Sequence, residues 1–471
     1  MLDNVERDID KVLNRKVDFK FPCIDASRQV RLLRCSSSAA TGLVYTLEVV
    51  PLERLHRKHY RALSYIWGSC HTTSDARQIL IDGQEFYVRR NLHDFLAAAR
   101  SRREGGLFFI DAICINQLDV EERQCQIREM TQVYRCADEV ISWLGVPGRA
   151  QSSNLRALSR AKMHDSVNWT ADQRAGFKYL SYHQYWRRVW VVQEVLLASH
   201  VTIWCGSSSF PLNLFGGQPN PFHGATSNCS YYGRPTAASK VLPRLQSPAS
   251  KIITHRLRYV PSPLLCPLGH GTKVDTMESL LRDLRVPITS INIYQSHLPD
   301  LLYQLIRIFG SLECTDPRDK VYGFLGILNE RSRAMIMPDY GKDIKHAYYQ
   351  ALKVGLQEMY DEIGLSAFFT SVDEQPAVYQ YHEHLRDVFE IEHDEALAML
   401  RQVLGELNLY NRLMEDILEL ELLEQLPWKG TKVKFLPGID IYELASRGEP
   451  AVPSGLLFRY HERQQRCISK L

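Results

Sequence analysis

The first 200 residues alternate between short apolar runs and stretches with a helical hydrophobic period. The apolar runs predict strands, because each is short, rich in β-branched or aromatic residues, and closed by glycine or polar residues. They lie at 60–68, 107–115, 139–145 and 201–206. The segment 79–88 has Asp82-Gly83 at its centre, which predicts a β-hairpin because both residues tolerate the positive φ of a tight turn.

Helices are predicted between these strands. Asn91 is a candidate N-cap, and it precedes residues that repeat at intervals of three and four, namely Leu92, Phe95, Leu96 and Ala99. A second helix is predicted after Asp119, where Glu122 has capping-box spacing, and a third over 187–199. Strands that alternate with helices are typical of an α/β domain, so we expect a mostly parallel sheet flanked by helices.

The pattern changes after Gly206. Between Val195 and Val274 there is no aspartate or glutamate, whereas seven lysines and arginines and many prolines occur. We find no sustained period there, which predicts an irregular, disordered insertion; non-domain sequence such as a retained intron is the alternative. The predicted organisation is an N-terminal extension at 1–55, an α/β domain at 56–206, a basic proline-rich insertion at 207–290, a helical continuation at 291–360 and an acidic helical C-terminal region at 361–471.

The C-terminal region is strongly acidic. Residues 371–427 carry fourteen acidic residues against three arginines, and their leucine spacing predicts two amphipathic helices, at 397–407 and 413–420. The basic insertion can rest on this segment, since opposite charges attract. Seven cations spread over eighty residues with few aromatic rings are too sparse for a nucleic-acid surface, so nucleic acid is not an expected partner.

Composition narrows the class of protein. The 471 residues are 45% hydrophobic and 24% charged, as in a globular protein of two to three domains. The net charge of +3 requires neither nucleic acid nor membrane as a partner. No apolar run reaches the roughly 18 residues of a membrane-spanning helix, and the N-terminus lacks the apolar core of a signal peptide. Eleven cysteines without a Cys-x-x-Cys pair predict reduced thiols, no zinc site and a cytoplasmic location.

Motif searches for chemistry are mostly negative. The chain has no phosphate loop, dinucleotide-binding, zinc-protease or serine-hydrolase motif. His382 and His384 are two residues apart and point in different directions on a helix, so a metal site is not expected. What remains is a set of polar or small residues directly after strands, where open α/β sheets bind ligands. They are Ser64, Trp67 and Gly68, then Asp111, Cys114, Asn116 and Gln117, then Trp143 and Gly145.

Two acids stand among apolar residues. Asp111 lies inside an apolar run, so its carboxylate must find hydrogen bonds or shift its pKa. It is therefore either a functional carboxylate or a cap on a neighbouring backbone group. Glu194 is a lone acid in an apolar helix and points either into a polar cleft or into water. Cys114 has no nearby histidine in sequence, which favours an inert buried thiol.

Three segments, 60–68, 109–117 and 188–194, resemble the fungal heterokaryon incompatibility (HET) domain in order and spacing. The resemblance covers roughly 60–205, and two blocks beyond the insertion, 315–326 and 338–340, look like segments that follow that domain. It implies a fungal protein of nonself recognition, in which the domain acts as an effector of regulated cell death. Protein partners or self-association are implied as well.

The HET family is thought to be distantly similar to Toll/interleukin-1 receptor (TIR) domains, which have a flavodoxin-like sheet. Some TIR domains cleave NAD with a glutamate. By that analogy Glu194 and Asp111 are candidate catalytic residues and NAD, or a related nucleotide, is the substrate. By the same analogy Asp111, Asn116 and Arg188 help to bind the nucleotide. Ser64, Trp67, Gly68 and Gln117 are further candidate binding residues because they follow strands, and no metal is expected. A non-enzymatic module that recruits a death or signalling partner stays open as the alternative.

Overall fold

A computed structural model of the protein describes residues 9–38, 42–161, 168–215, 247–258, 301–363 and 377–409. The chain divides into two compact units, Met1–Pro299 and Asp300–Leu471. None of the helices in these ranges is long and apolar enough to cross a lipid bilayer. The predicted helix at 413–420 and most of the basic insertion lie outside the described residues.

The first unit is built on a nine-stranded sheet flanked by helices, which confirms the predicted α/β class. Its strands are β1 (Gln29–Ser38), β2 (Gly42–Pro51), β3 (Tyr60–Tyr65), β4 (Ala76–Ile81), β5 (Gln84–Arg89), β6 (Gly106–Phe109), β7 (Glu139–Trp143), β8 (Val201–Cys205) and β9 (Ser208–Pro211). Its described helices are α1 (Ile9–Val17), α2 (Arg90–Ser101), α3 (Asp111–Cys114), α4 (Val120–Cys136), α5 (Arg149–Ser159), α6 (Ala171–Ser181), α7 (Val189–Leu197) and α8 (Pro248–Arg258).

The strand order is β5-β4-β2-β1-β6-β3-β7-β8-β9. The centre of the sheet, β6-β3-β7-β8, is parallel, so the carboxyl ends of these four strands meet at one edge. On both sides the sheet is extended mainly by antiparallel pairs, with a short parallel contact between β2 and β4. The parallel centre therefore supplies the edge at which ligand sites of α/β folds form.

Local sequence signals explain several of these elements. The hairpin of β4 and β5 turns at Asp82 and Gly83, whose φ angles of 52° and 75° are the left-handed values that the turn requires, as predicted. The Asp119 carboxylate caps α4 by accepting a hydrogen bond from the Glu122 backbone N–H at 3.0 Å, again as predicted. Asn91, however, is not the N-cap of α2, because that helix begins at Arg90. The Asn91 amide instead donates to the Ile66 carbonyl at 2.6 Å.

The predicted strand at 107–115 is too long. The strand ends at Phe109, and the short helix α3 begins at Asp111. The Asp111 carboxylate accepts a hydrogen bond from the next backbone N–H, that of Ala112, at 2.7 Å, which favours a helical start at this point. An apolar run cannot distinguish a buried strand from a buried helical turn by periodicity alone.

The N-terminal segment contributes to the sheet. The sequence pattern predicts no strands there, yet β1 pairs with β2 on one side and with β6 on the other. Val30, Leu32 and Leu33 on β1 are completely buried. Residues before Tyr60 therefore form part of the same hydrophobic core as the central strands.

Part of the stretch predicted as an irregular insertion is regular. β9 extends the sheet beside β8, and α8 packs on α6 and α7. Ala249 and Ile252 of α8 are completely buried. This helix was not predicted for two reasons. Its apolar period spans only three turns, and the surrounding stretch lacks acids and is rich in prolines, as irregular segments are.

The second unit is helical within its described residues, as predicted for this part of the chain. Its helices are α9 (Leu302–Phe309), α10 (Asp319–Tyr322), α11 (Glu330–Ala334), α12 (Ile344–Ile363), α13 (Ala377–Phe389) and α14 (His393–Glu406). The two blocks at 315–326 and 338–340 fold onto each other. The buried Arg318 guanidinium binds the Asp316 carboxylate at 2.6 Å and the Tyr340 carbonyl at 2.7 Å, and the Tyr340 hydroxyl donates to Asp319 at 2.6 Å.

The two histidines of α13 point to different surroundings. His384 contacts the Ile306 carbonyl at 3.2 Å, whereas His382 is completely buried. Burial lowers the pKa of His382 below its ordinary value of 6.5, and the Ala396 backbone and the Glu383 carboxylate offset only part of this effect. The nearby Arg386 and His393 act in the same direction as burial.

This buried imidazole predicts a loss of stability in acid. Because the folded state resists protonation of His382, the free energy of unfolding should fall as the pH drops below about 6.5, by at most about 1.4 kcal/mol per pH unit. Calorimetric unfolding of the full chain between pH 7.5 and 5 should show a smaller fall for His382→Leu than for the wild type. His346→Leu, at a partly exposed position, should follow the wild type. Identical pH profiles for His382→Leu and the wild type would contradict this assignment.

Candidate functional site

A chain of buried hydroxyl groups connects the central strands to Glu194. Ser64 on β3 and Ser142 on β7 are register partners near the carboxyl ends of their strands. The Tyr185 hydroxyl lies between them, 2.6 Å from the Ser64 hydroxyl, and donates to Ser142 at 2.8 Å. The Ser64 hydroxyl donates to the Glu194 carboxylate. The hydroxyl groups therefore solvate a carboxylate that water hardly reaches.

Glu194 lies on α7 and is only 3% exposed. Burial raises the pKa of its carboxyl from 4.5 to about 7, and the negative charge of Asp111 adds to this rise. The Arg188 charge and the hydrogen bonds from Ser64 and Tyr134 oppose it. Near neutral pH, Glu194 can therefore both hold and release a proton, which is the property of a general acid or base.

Asp111 follows β6 and is partly buried. The Trp67 indole N–H, from the segment after β3, contacts its two carboxylate oxygens at 3.2 and 3.0 Å. Burial raises the pKa of Asp111, while the Arg188 charge, the Trp67 hydrogen bond and the Ala112 N–H counteract the rise. Asp111 thus accepts a hydrogen bond from a local backbone N–H, which was one of the two alternatives from the sequence, and it also contacts Trp67 from the segment after β3.

Arg188 interacts electrostatically with both acids. It occupies the N-cap position of α7, is half-buried, and donates a hydrogen bond to the Tyr65 carbonyl. Its positive charge lowers the pKa of both Asp111 and Glu194. The structure therefore brings Asp111, Arg188 and Glu194 together at the carboxyl end of the parallel strands. We call these three residues and the hydroxyl chain of Ser64, Tyr185 and Ser142 the acid site.

The other predicted binding residues lie beside the acid site. Gly68 has a φ of 77°, and its carbonyl accepts a hydrogen bond from Arg89 at 2.6 Å. The Gln117 amide donates to the Asp111 carbonyl at 2.9 Å, and the Asn116 side-chain oxygen accepts from the Leu118 N–H at 3.2 Å. Asn116 and Gln117 therefore hold the turn after α3, and together with Trp67 they line a cavity.

Several residues in and around the acid site were not predicted from the sequence. Ser142 carried a signal, since it is a polar residue in the apolar strand at 139–145, just as Ser64 is in its own strand. Tyr185 and Tyr134 carried none, because a tyrosine in an apolar surrounding usually indicates core packing. Both tyrosines are completely buried, and both interact with Glu194.

Arg256 of α8 fixes the far end of the helix that carries Glu194. Its buried guanidinium donates to the Val195 and Leu196 carbonyls and to the Ser199 carbonyl, the last at 3.2 Å. These groups lie at the carboxyl end of α7, where backbone carbonyls lack helical partners and a positive charge is favourable. Burial lowers the pKa of Arg256 to about 10, so it stays cationic at neutral pH.

Metal binding and thiol chemistry receive little support within the described ranges. There, no cluster of three histidine, cysteine, aspartate or glutamate side chains could hold a metal ion. Burial raises the pKa of the Cys114 thiol to about 12, which agrees with an inert thiol because the thiolate is the reactive form. All eight cysteines in the described segments are free thiols.

Comparison with known proteins gives the family. The profile of the family described as "Heterokaryon incompatibility protein (HET)" matches residues 60–194. A relative named "Heterokaryon incompatibility protein 6, OR allele", from Neurospora crassa, is 33% identical over 137 residues. That segment is 26% of this chain and 19% of the relative, so the match spans about a fifth of the relative's length. No solved structure matches the chain. Residues 60–194, from β3 to Glu194 of α7, match the HET domain, so the chain contains a segment of that family.

Proposed function

We propose that this protein acts in fungal heterokaryon incompatibility, as an effector of the regulated cell death that follows fusion of unlike hyphae. The HET domain at 60–194 and the name of the Neurospora crassa relative support this role. The family match concerns the segment that builds the acid site, because the matched region begins at β3 and ends at Glu194. The effector role is therefore assigned to that part of the chain.

The chemistry we propose is hydrolysis of NAD or a related nucleotide at the acid site. Water adds to the ribose carbon as the bond to nicotinamide breaks, which yields nicotinamide, ADP-ribose and a proton. A nearby carboxylate stabilises the oxocarbenium-like charge that develops on the ribose. This proposal is supported by the electrostatic interaction of Arg188 with two carboxyl groups, that of Asp111 after β6 and that of Glu194 on α7.

The two carboxyl groups differ in their access to a substrate. Asp111 is more exposed than Glu194, so we assign the contact with substrate to Asp111. Glu194 is 3% exposed and sits within the hydroxyl chain. In this proposal Glu194 controls the charge of the site, since its protonation changes the net charge around Arg188.

A second candidate function is a non-enzymatic module that recruits a death or signalling partner. The burial of Glu194 favours it, because a carboxyl enclosed by Ser64, Tyr185 and Tyr134 can serve the fold alone. In that case the acid site fixes α7, and the outer surface of the domain carries the function.

Expression in a fungal host separates the two candidates. We expect the wild type to stop growth and lower cellular NAD, while Glu194→Gln and Asp111→Asn lose both effects, because each variant removes a carboxylate of the acid site. Glu121→Gln changes an exposed glutamate on α4 and should behave as the wild type. Viability counts, an enzymatic NAD assay and circular dichroism of each purified variant give the readouts.

The outcomes are distinct. If folded Glu194→Gln and Asp111→Asn kill as well as the wild type and NAD stays constant, the enzymatic proposal is wrong and the recruitment module is favoured. If the wild type neither kills nor lowers NAD when expressed and folded, the effector role itself is contradicted.

A further inference from the structure

The hydroxyl chain beside Glu194 has a fixed number of protons, and that number constrains how its members bond. Ser64 and Ser142 lie on neighbouring strands, and the Tyr185 hydroxyl lies between them, at 2.6 Å and 2.8 Å. These three residues are completely buried, and Glu194, on the other side of Ser64, is 3% exposed. The protein itself therefore supplies the hydrogen bonds between these groups.

One contact in the hydroxyl chain lacks a proton when Glu194 is ionised. Each hydroxyl group has a single proton to donate. Ser64 donates to the Glu194 carboxylate, and Tyr185 donates to Ser142. Both protons are then used, so the Ser64 and Tyr185 oxygens face each other at 2.6 Å without a proton between them. That distance is typical of an O–H···O hydrogen bond, which requires a donor.

A proton on Glu194 completes the hydroxyl chain. The Glu194 O–H then donates to Ser64, which frees the Ser64 proton for Tyr185, while Tyr185 still donates to Ser142. Ionisation preserves all three hydrogen bonds only if every donation reverses and runs from Ser142 towards Glu194. Each hydroxyl keeps its own proton and rotates about its C–O bond, and water accepts the proton that Glu194 releases.

We propose that Tyr185 is a positioning residue for Glu194, and that the direction of donation along the hydroxyl chain reverses when Glu194 gains or loses its proton. The reversal follows from the number of protons and the contacts of the hydroxyl chain. Its link to NAD cleavage rests on the proposed function, in which the charge of Glu194 controls the acid site.

The hydroxyl chain ends inside the protein at Ser142. Among the residues that the structure describes, only Tyr185 hydrogen-bonds the Ser142 hydroxyl. Ser142 is completely buried on β7, between β3 and β8. The hydroxyl chain therefore does not lead to water, and it responds to the proton on Glu194 without conducting protons from outside.

The hydroxyl chain stabilises the ionised form of Glu194 more than the protonated form. Hydrogen bonds that end on a charged group are roughly twice as strong as those between neutral groups, and aligned hydroxyls strengthen one another. Ser64 contacts the carboxylate directly, whereas Tyr185 acts through Ser64, and Ser142 acts through both. Removing a hydroxyl should therefore raise the pKa of Glu194, and the effect should decrease with distance along the hydroxyl chain.

Other groups around Glu194 act from different elements. Arg188 at the start of α7 and Tyr134 on α4 lower the pKa of Glu194, whereas Asp111 raises it. Arg256 of α8 binds carbonyls at the far end of α7. Substitutions in the hydroxyl chain leave all of these groups in place, so a changed pKa of Glu194 reports on the hydroxyl chain.

Infrared titration of the full-length protein tests the proposal. The protonated Glu194 carboxyl has a carbonyl stretch, which is identified in each variant by its loss when Glu194→Gln is added. We expect the midpoint of this band near pH 7 in the wild type. It should lie about 1.5 pH units higher in Ser64→Ala, about 0.7 higher in Tyr185→Phe and about 0.3 higher in Ser142→Ala.

Two further variants are the controls. Ser64→Thr keeps the hydroxyl that contacts Glu194, so its midpoint should equal that of the wild type. Tyr182→Phe removes a hydroxyl from an exposed position three residues before Tyr185 and should not shift the midpoint. A purely structural effect of the substitutions would change stability without this ordered series of midpoints.

Equal midpoints in Ser64→Ala, Tyr185→Phe and the wild type, or a shift to lower pH, would overturn the proposal. If Tyr185→Phe does not fold, a midpoint in Ser142→Ala as high as that in Ser64→Ala would overturn it as well. The rate of NAD cleavage is measured over the same pH range. The predicted infrared midpoints without NAD cleavage would support the hydroxyl chain and contradict the proposed function. NAD cleavage whose pH profile is unchanged in Tyr185→Phe would contradict the positioning role.

Discussion

Glu122→Gln or Arg31→Met is expected to lower the free energy of unfolding by about 3 to 5 kcal/mol. Arg31 on β1 and Glu122 on α4 are 2% and 9% exposed, and they form a two-pronged ion pair at 2.6 and 3.0 Å. Removing one partner leaves the other charge buried without compensation. The pair also holds neighbouring backbone, since Arg31 donates to the Pro22 and Cys114 carbonyls and Glu122 accepts from the Asn116 N–H.

Denaturant unfolding of the purified chain measures this effect. Arg34→Met is the matched control, because Arg34 lies on the same strand and pairs with Glu48 but is 46% exposed, and it should cost about 1 kcal/mol or less. The double variant Arg31→Met/Glu122→Gln should recover part of the loss, since no unpaired charge remains. If both single variants unfold within 1 kcal/mol of the wild type, the N-terminal strand contributes less to the fold than the structure indicates.

This ion pair also shows why sequence patterns captured only part of the fold. The central strands β3, β7 and β8 were predictable, because each is a compact apolar run closed by a turn signal. Strand β1 carries Arg31 and Arg34 within its run, which breaks the apolar pattern that predicts a buried strand. Arg31 is buried only because Glu122, about ninety residues away in sequence, neutralises it. Local periodicity contains no information about such a distant partner.

The acid site, like the fold, was predictable only in part. Asp111 and Glu194 stood out as acids among apolar residues, and parallel strands place their carboxyl ends at one edge of the sheet. The chain of hydroxyl groups could not be predicted. Tyr185 reaches Ser64 on β3 and Ser142 on β7 only because the segment before α7 packs against these two strands. The role of Arg256 was hidden for the same reason, since its partners are backbone carbonyls of another helix.

Glu194→Gln is expected to make the protein more stable than the wild type above about pH 7. The pKa of Glu194 is raised from 4.5 to about 7 in the folded state, so the fold favours the protonated carboxyl. Its contribution to stability is complete below pH 4.5 and is lost as the pH rises towards 7, a change of about 3 kcal/mol for this one group. Glutamine resembles the protonated carboxyl in shape and charge, so the variant should lack this loss.

The measurement is the free energy of unfolding between pH 4.5 and 8.5 for the wild type, Glu194→Gln and Glu121→Gln. Subtracting the Glu194→Gln profile from that of the wild type removes the titration of all other groups. The difference should decrease by about 3 kcal/mol across this range, while the Glu121→Gln control, exposed on α4, should parallel the wild type. A flat difference would mean that Glu194 titrates as it does in the unfolded chain.

The central claim is that the carboxyl edge of the parallel strands holds Glu194 as a buried acid that is part-protonated at neutral pH. Infrared spectroscopy observes this proton directly, as the carbonyl stretch of a protonated carboxyl that is present in the wild type and absent in Glu194→Gln. We expect that band at pH 5 and its disappearance with a midpoint near pH 7. A wild-type spectrum without a Glu194-dependent band above pH 5 would contradict the account of the acid site.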